Sequence, residues 1–280
     1  MRNLISKYFI LIVISQLISC TEVIDLPLDE GEIKLVVEGT ITTDTTTHTI
    51  LLTQTTGYYY DKFPPFVTKA RVVIDDGEKT FALTERRPGV YQTESNFYGI
   101  EGKTYTLKIE LETPLNGFKE FSASAYMNYV VKLDMAKAEF RPSFGEQGIW
   151  EVKCWLQDPP TTDFYRIELL RNNVVITSNI GKWITSDDSF FNGQYLSGTT
   201  IAFLSQSRES ERLVSGDVLG VKLFRISREY YNFIEDVKTE LRGSNPLFSG
   251  PGANVRGNIS NGAIGFFTAY PVSRVSYKIP

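Results

Sequence analysis

The chain has 280 residues, of which 42% are hydrophobic and 13% aromatic, and its formal net charge is -4 at pH 7. This length is sufficient for one large or two ordinary domains with a sizeable core. The acidic balance argues against a nucleic-acid binder, which needs a basic face to displace counterions. It also argues against electrostatic docking on anionic lipid.

The first residues have the pattern of a secretory leader. Two basic residues precede an apolar run over residues 8–18, which is about eleven residues long. The run is shorter than the ~20 residues of a membrane-spanning helix, but it fits a signal-peptide core. It ends in Leu17-Ile18-Ser19-Cys20, which resembles the lipobox of bacterial lipoproteins. We expect a signal peptide over residues 1–19 and lipidation of Cys20. The alternative is an ordinary signal peptide that contains a cysteine.

Lipidation has consequences for the next segment and for the second cysteine. Residues 20–32 are polar and acidic, and we predict that they form a lipidated tether. Acyl chains on Cys20 would hold the protein on a membrane. Cys154 then has no partner, so we expect no intramolecular disulfide. It alternates with Trp150 and Val152 on one strand face, which predicts that its thiol is buried.

Residues 33–127 show the alternation of β-strands that have one face in a core. Short strands with turn signals about every ten residues predict an Ig-like or prealbumin-like β-sandwich domain. Asp75-Asp76-Gly77 is a hairpin signal, because an Asp-Gly pair tolerates positive φ. The predicted inward positions are Leu35, Val37, Gly39, Ile50, Leu52, Ala70, Val72, Ile74, Tyr105, Leu107, Ile109, Phe121, Ala123 and Ala125.

Residues 128–280 are predicted to form a second β-rich domain that carries one α-helix. The helix is expected over residues 227–242, with Ser227 as its N-cap and Gly243 as its stop. Residues 243–262 are rich in Gly, Asn, Ser and Pro, which predicts a long loop. The predicted strands cover residues 150–156, 165–169, 199–203, 218–226, 263–269 and 274–279.

The residues that could carry catalysis are few. His48 is the only histidine, and no second His or Cys stands near it. Transition-metal ligation therefore lacks its usual ligands, and any Ser/His/Asp or Cys/His arrangement would have to use His48. Adjacent acids such as Asp187-Asp188 look like turns, and neighbouring residues of a strand point apart. We expect a protein that is not an enzyme and holds no cofactor or metal; a carboxylate-based hydrolase is the enzymatic alternative.

One aromatic segment between predicted strands could be a binding surface. It contains five aromatic residues and two prolines within nine positions. One interpretation is a loop that folds back and caps the sandwich. The other is an exposed patch that binds a partner protein or a ligand, since aromatic side chains commonly anchor interfaces. The aromatic residues are Tyr58, Tyr59, Tyr60, Phe63 and Phe66.

Eight short blocks follow one another along nearly the whole mature chain. They are Lys34-Leu-Val-Val-Glu-Gly-Thr-Ile41, Ala70-Arg-Val-Val-Ile-Asp-Asp76, Gly89-Val-Tyr91, Gly102-Lys-Thr-Tyr-Thr-Leu-Lys-Ile109, Glu229-Tyr-Tyr231, Asn245-Pro246, Val255-Arg-Gly-Asn-Ile259 and Gly262-Ala-Ile-Gly-Phe-Phe267. Each block is short, but their order is fairly specific, and together they resemble the Bacteroidetes outer-membrane lipoprotein family called domain of unknown function 4249.

The resemblance implies an outer-membrane lipoprotein, often encoded beside TonB-dependent transporters, and it implies no catalytic or ligand residues. We therefore expect a protein lipid-anchored at the cell surface, with the periplasmic leaflet as the alternative location. The expected function is an accessory to an outer-membrane β-barrel transporter, by ligand capture or by capping the barrel. The alternative is a structural or adhesive surface module without a small ligand.

Overall fold

The strand alternation seen in the sequence produces a mainly β protein, which confirms the predicted fold class. The computed structural model describes residues 32–56, 63–176, 178–242 and 255–280. The predicted leader, Cys20, the tether up to residue 31, Tyr58 to Tyr60 and residues 243–254 of the predicted loop lie outside these ranges. Ile33–Pro280 forms one compact unit.

Seventeen strands, one α-helix and a short 3-10 helix (Ile180–Lys182) are found in the described part of the chain. The α-helix is α1 (Arg228–Leu241). The strands are β1 (Leu35–Thr42), β2 (Thr49–Gln54), β3 (Arg71–Asp75), β4 (Thr80–Ala82), β5 (Thr84–Arg87), β6 (Val90–Gln92), β7 (Thr104–Leu115), β8 (Phe118–Tyr126), β9 (Leu133–Arg141), β10 (Ile149–Gln157), β11 (Phe164–Arg171), β12 (Val174–Val175), β13 (Ile184–Asp187), β14 (Tyr195–Ser205), β15 (Val218–Ile226), β16 (Ile264–Tyr270) and β17 (Val272–Lys278).

The first sandwich consists of two sheets. Sheet I has the strand order β16-β1-β2-β6-β5, and sheet II has the order β4-β3-β7-β8. Their facing sides share one apolar core, and the predicted inward positions lie in it or pack against its edge, with Gly39 buried beneath Ile50. The Asp-Gly signal forms the β3–β4 hairpin, where Gly77 has φ +87°. The alternation prediction is therefore confirmed, whereas the Ig-like or prealbumin-like label is not.

Sheet I contains a strand that comes from the far end of the chain. β16 pairs with β1 in parallel, from Val36 opposite Ile264 to Thr42 opposite Tyr270. Phe267 and Ala269 of β16 lie in the core of the first sandwich. Residues assigned from the sequence to the second region thus complete the first one. The predicted boundary between a domain over residues 33–127 and a second domain over residues 128–280 stays a prediction.

The second sandwich consists of a three-stranded and a five-stranded sheet. Sheet III has the order β14-β10-β9, and sheet IV has the order β12-β11-β15-β17, with β13 also paired to β11. β10 places Trp150, Val152, Cys154 and Leu156 in the core between them, as the alternation predicts. Gly198 lies where the β10–β14 register shifts.

Helix α1 covers the place where the two sandwiches meet. Ser227 caps it as predicted, because its hydroxyl accepts a hydrogen bond from the backbone N–H of Tyr230 at 3.1 Å. The buried helix face packs on β15 and β16 through a separate apolar cluster that includes Ile234, Phe224 and Phe266. Within the described ranges, no helix combines the length and apolar character that crossing a membrane requires.

Candidate functional site

A cleft of about 1020 Å³ lies where the outward face of sheet I meets α1. Strands β1 and β2 form its floor, while α1 and the short 3-10 helix form its wall. Volumes of this order are typical of small-molecule sites. The lining residues used below are Glu38, Thr40, His48, Trp183, Tyr230 and Phe233.

The floor results from strand alternation. Leu35, Val37 and Ile41 of β1 point into the core, so the residues between them point outward. Glu38 is therefore on the cleft side, between Phe266 of β16 and Leu51 of β2 in the strand register. Direct cross-strand neighbours lie about 5 Å apart at Cβ. The carboxylate is thus flanked by two apolar side chains, and it forms no ion pair with any described residue.

The wall is a cluster of aromatic rings. The ring centroids of Tyr230 and Phe266 are 5.0 Å apart, and those of Phe233 and Phe266 are 5.1 Å apart. Tyr230 and Phe233 stack at 6.0 Å. Such mutual packing fixes the rings before any ligand arrives.

A buried arginine holds the remaining aromatic residue of the wall. The Arg166 guanidinium lies 4.6 Å from the ring centroid of Trp183 and 4.0 Å from that of Phe224. It also lies 3.5 Å from Glu168, which neutralises part of its charge. Its Nε atom is buried without a hydrogen-bond partner among the described residues. Arg166 therefore acts as a positioning residue behind Trp183, and the sequence pattern did not identify it because Trp183 and Phe224 lie in distant segments.

Tyr230 brings a polar atom into the aromatic wall. The residue is only 6% exposed, yet its hydroxyl has no hydrogen-bond partner among the described residues. Burial raises the pKa of this hydroxyl, and the neighbouring Glu38 charge adds to the effect. The group therefore stays neutral and can donate or accept a hydrogen bond.

His48 lies immediately before β2, is buried, and shares the inward side with Ile50. Its Nε2 atom is 3.1 Å from the hydroxyl of Thr42, and its backbone N–H donates to Thr93. Burial lowers the pKa of its imidazole, so the ring is neutral near pH 7. Its Nδ1 is buried with no partner in the described ranges. These contacts are those of a structural residue at the end of the cleft.

The described part of the predicted aromatic segment lies outside the cleft lining. Phe63 is 94% exposed and Phe66 is 50% exposed, so neither ring fills a core. Phe66 bridges Thr53 of β2 through its backbone. The role of this segment as an interface stays a prediction.

Three buried carboxylates form a cluster that the sequence did not predict. Asp158, Asp163 and Asp188 each offer an oxygen within 4.8 Å of the others. Arg225 Nε donates to Asp163 at 2.6 Å, and the Tyr165 hydroxyl donates to Asp158 at 2.5 Å. Burial, with the neighbouring carboxylates, raises the pKa of Asp158. Oxygen ligands of this kind suit a hard cation, but donors of the protein already bind them, so the cluster is a structural network.

The side chains of Asp187, the last residue of β13, and Asp188, which follows it, have different partners. Asp188 accepts a hydrogen bond from the backbone N–H of Asp163 at 2.8 Å, whereas Asp187 binds Ser189. The adjacent pair is therefore not a shared site. Cys154 is a free, buried thiol, as predicted, and burial raises its pKa to about 11.

The fold and the cleft together define a β-sandwich protein with a preformed site of ligand size. The chain matches the model of the family described as "Domain of unknown function (DUF4249)" over residues 21–276, and it belongs to that family. This match confirms the family resemblance seen in the sequence. A comparison with the curated proteins finds no match.

Proposed function

We propose that this protein is a non-enzymatic outer-membrane lipoprotein that captures a small ligand in the cleft and serves a TonB-dependent β-barrel transporter. The observation that carries the proposal is the cleft itself. Its walls are mainly apolar and aromatic, with a few polar groups, which is the usual composition of ligand sites. Lipidation of Cys20 would keep the captured ligand at the membrane.

The rigidity of the wall favours binding. Tyr230, Phe233 and Phe266 already pack on one another, and Trp183 is held by Arg166. Ordering side chains on binding costs about 0.5–1.5 kcal/mol each, and a prepacked wall avoids much of this cost. A ligand would therefore gain the burial of apolar surface without first arranging the site.

The exposed aromatic segment supports contact with a partner. Phe63 presents 94% of its surface to solvent and Phe66, three residues later, is 50% exposed, and aromatic residues are common among the anchors of protein interfaces. Pro64 and Pro65 stiffen the chain beside it, which reduces the entropy lost on binding.

A mild-detergent pull-down from the native membrane, read by mass spectrometry, tests the partner. We expect a β-barrel transporter with the wild-type protein and a reduced yield with Phe63→Ala, whose melting temperature should be unchanged. Cys20→Ala should lose palmitate labelling and leave the membrane fraction. Recovery of host or matrix polymers without a barrel would favour the adhesive alternative.

Retention of a small molecule tests the cleft. Native mass spectrometry of the protein purified from its own membranes should show a bound species. Thr40→Trp places a bulky ring on the cleft floor and should abolish retention. Thr84→Trp, on the exposed β5 strand of the same sheet, is the matched control and should retain it. Equal retention by both variants would reject the cleft as the binding site.

A further inference from the structure

The charge pattern of the cleft narrows the class of ligand. Among the described residues of the lining, Glu38 is the only acidic one, and Lys34 is the only basic one apart from His48. Lys34 immediately precedes β1, and Glu38 lies four residues further along the extended chain, which corresponds to roughly 13 Å. They are therefore not a pair. Since His48 is neutral, Glu38 supplies the negative charge of the described lining, while Arg166 lies behind Trp183 and is partly neutralised by Glu168.

The surroundings of Glu38 leave its carboxylate available to a ligand. Its direct cross-strand neighbours are Phe266 and Leu51, neither of which can bind a carboxylate. Glu38 itself is exposed to solvent, so a ligand can reach its carboxylate, and water and salt screen part of its charge. A cation that enters the cleft would therefore meet an unsatisfied partner, whereas an anion would be repelled.

The aromatic wall adds to the same preference. The faces of aromatic rings carry negative potential, and cations bind over tryptophan and tyrosine rings within about 6 Å of the centroid. Trp183, Tyr230 and Phe233 all line the cleft. The hydroxyl of Tyr230 adds an acceptor that no described residue occupies.

We infer that the cleft binds a hydrophobic organic cation, with its charged group beside Glu38 and its apolar body against Tyr230, Phe233 and Trp183. This inference rests on the proposed ligand-binding function and names the class of ligand. Aromatic rings that contact a cation recognise quaternary ammonium groups, and a carboxylate beside them would supply the opposite charge.

Two probes with the same benzyl body and opposite charge test the inference. Benzyltrimethylammonium and phenylmethanesulfonate are titrated into the full-length protein by isothermal calorimetry. We expect the cation to bind at least about tenfold more tightly than the anion, which corresponds to ~1.4 kcal/mol. The preference should shrink as salt concentration rises.

Three variants test whether the preference for the cationic probe arises in the cleft. Glu38→Gln should weaken cation binding about tenfold and leave the anion unaffected or slightly improved. Phe233→Leu keeps an apolar side chain but removes a ring, so it should weaken the cation more than the anion. Glu146→Gln makes the same charge change outside the cleft lining and should change neither affinity. Unchanged melting temperatures verify that each variant is folded.

The outcomes separate the inference from the function on which it rests. Equal binding of both probes, or discrimination that survives Glu38→Gln, would overturn the cationic assignment. If Thr40→Trp still abolishes retention of the native small molecule, ligand capture stands and only the ligand class is rejected. If neither probe binds and the wild-type protein retains no small molecule, both the inference and the proposed function fail.

Discussion

The outward faces of sheets I and III carry their charges in opposite ways. On sheet III, Arg141 contacts Glu139 and Glu151 at 2.8 Å, and Lys153 contacts Glu139 at the same distance. On sheet I, beneath α1, Glu38 has no such partner among the described residues. Both faces result from the same strand alternation, so the difference lies in which residues are the cross-strand neighbours of each charged residue.

The comparison shows how a sheet surface becomes either a solvated surface or a site. On sheet III, hydrogen bonds from Lys153 to Glu139 and from Thr200 and Arg141 to Glu151 lower the pKa values of both carboxyls. Those charges satisfy one another and offer little to a ligand. On sheet I, the exposed carboxylate of Glu38 has apolar cross-strand neighbours and no ion-pair partner among the described residues, which leaves its charge available for a ligand.

Truncating one phenylalanine on each face should give the largest contrast. Phe266 of sheet I is buried beneath α1, whereas Phe203 of sheet III is 60% exposed. We expect Phe266→Ala to lower the free energy of unfolding by about 3–5 kcal/mol, because it removes a buried ring. Phe203→Ala should change it by no more than about 0.5 kcal/mol. Denaturant titrations measure both, and similar losses would mean that α1 does not cover sheet I as described.

The buried ion pair of Arg225 and Asp163 tests whether burial determines how much stability is lost when one partner of a pair is removed. Arg225 and Asp163 have side chains that are 13% and 4% exposed, so Arg225→Met leaves an unpaired carboxylate in the interior. We expect a loss of about 3–5 kcal/mol in the free energy of unfolding. Arg86→Met, which breaks an exposed pair with Glu94, is the control. A loss no larger than that of the control would show that the cluster is hydrated.

The local pattern of the fold was largely predictable from the sequence. Alternation identified the buried residues of β1, β7 and β10, and the capping residue Ser227 identified the start of α1. These features depend on neighbours within one element, so the chain encodes them locally. Burial of Cys154 followed from the same alternation.

The cleft could not be predicted, because it depends on contacts between distant segments. Alternation alone places Glu38 on an outward face, but nothing near it shows that α1, almost 200 residues later, would cover that face. The parallel pairing of β1 with β16 and the meeting of Asp158 with Asp188 are long-range in the same way. The burial of Arg166 depends in the same way on Trp183, Phe224 and Tyr270, which come from segments far along the chain.

The two faces of β10 place a titratable thiol in the core and charged side chains at the surface. Cys154 faces the core, and burial raises its thiol pKa from an ordinary value near 9 to about 11. The protonated thiol favours the folded state, so its contribution is fully present below pH 9 and is lost as pH rises through 11. The loss is at most about 2.7 kcal/mol for two pKa units.

Denaturant titrations between pH 8 and pH 11 measure this contribution. The difference in free energy of unfolding between the wild type and Cys154→Ala should change over this interval, because tyrosine and lysine titrations are common to both proteins. Slow alkylation of Cys154 in the native state is expected over the same range. A pH-independent difference would show that the thiol is hydrated.

The smallest expected effects on stability come from removing a single charge, either the paired charge of Lys153 or the unpaired charge of Glu38. Lys153→Met removes one of the two cations that Glu139 and Glu151 share and leaves Arg141 in contact with both, so we expect a small loss of stability that disappears at high salt. Glu38→Gln removes a charge that stabilises nothing in the described structure, so the free energy of unfolding should stay within about 0.5 kcal/mol of the wild type at every salt concentration. Denaturant titrations at low and high ionic strength distinguish the two variants. A salt-dependent loss with Glu38→Gln would mean that Glu38 has a partner within the protein, and the carboxylate would then not be available to a ligand.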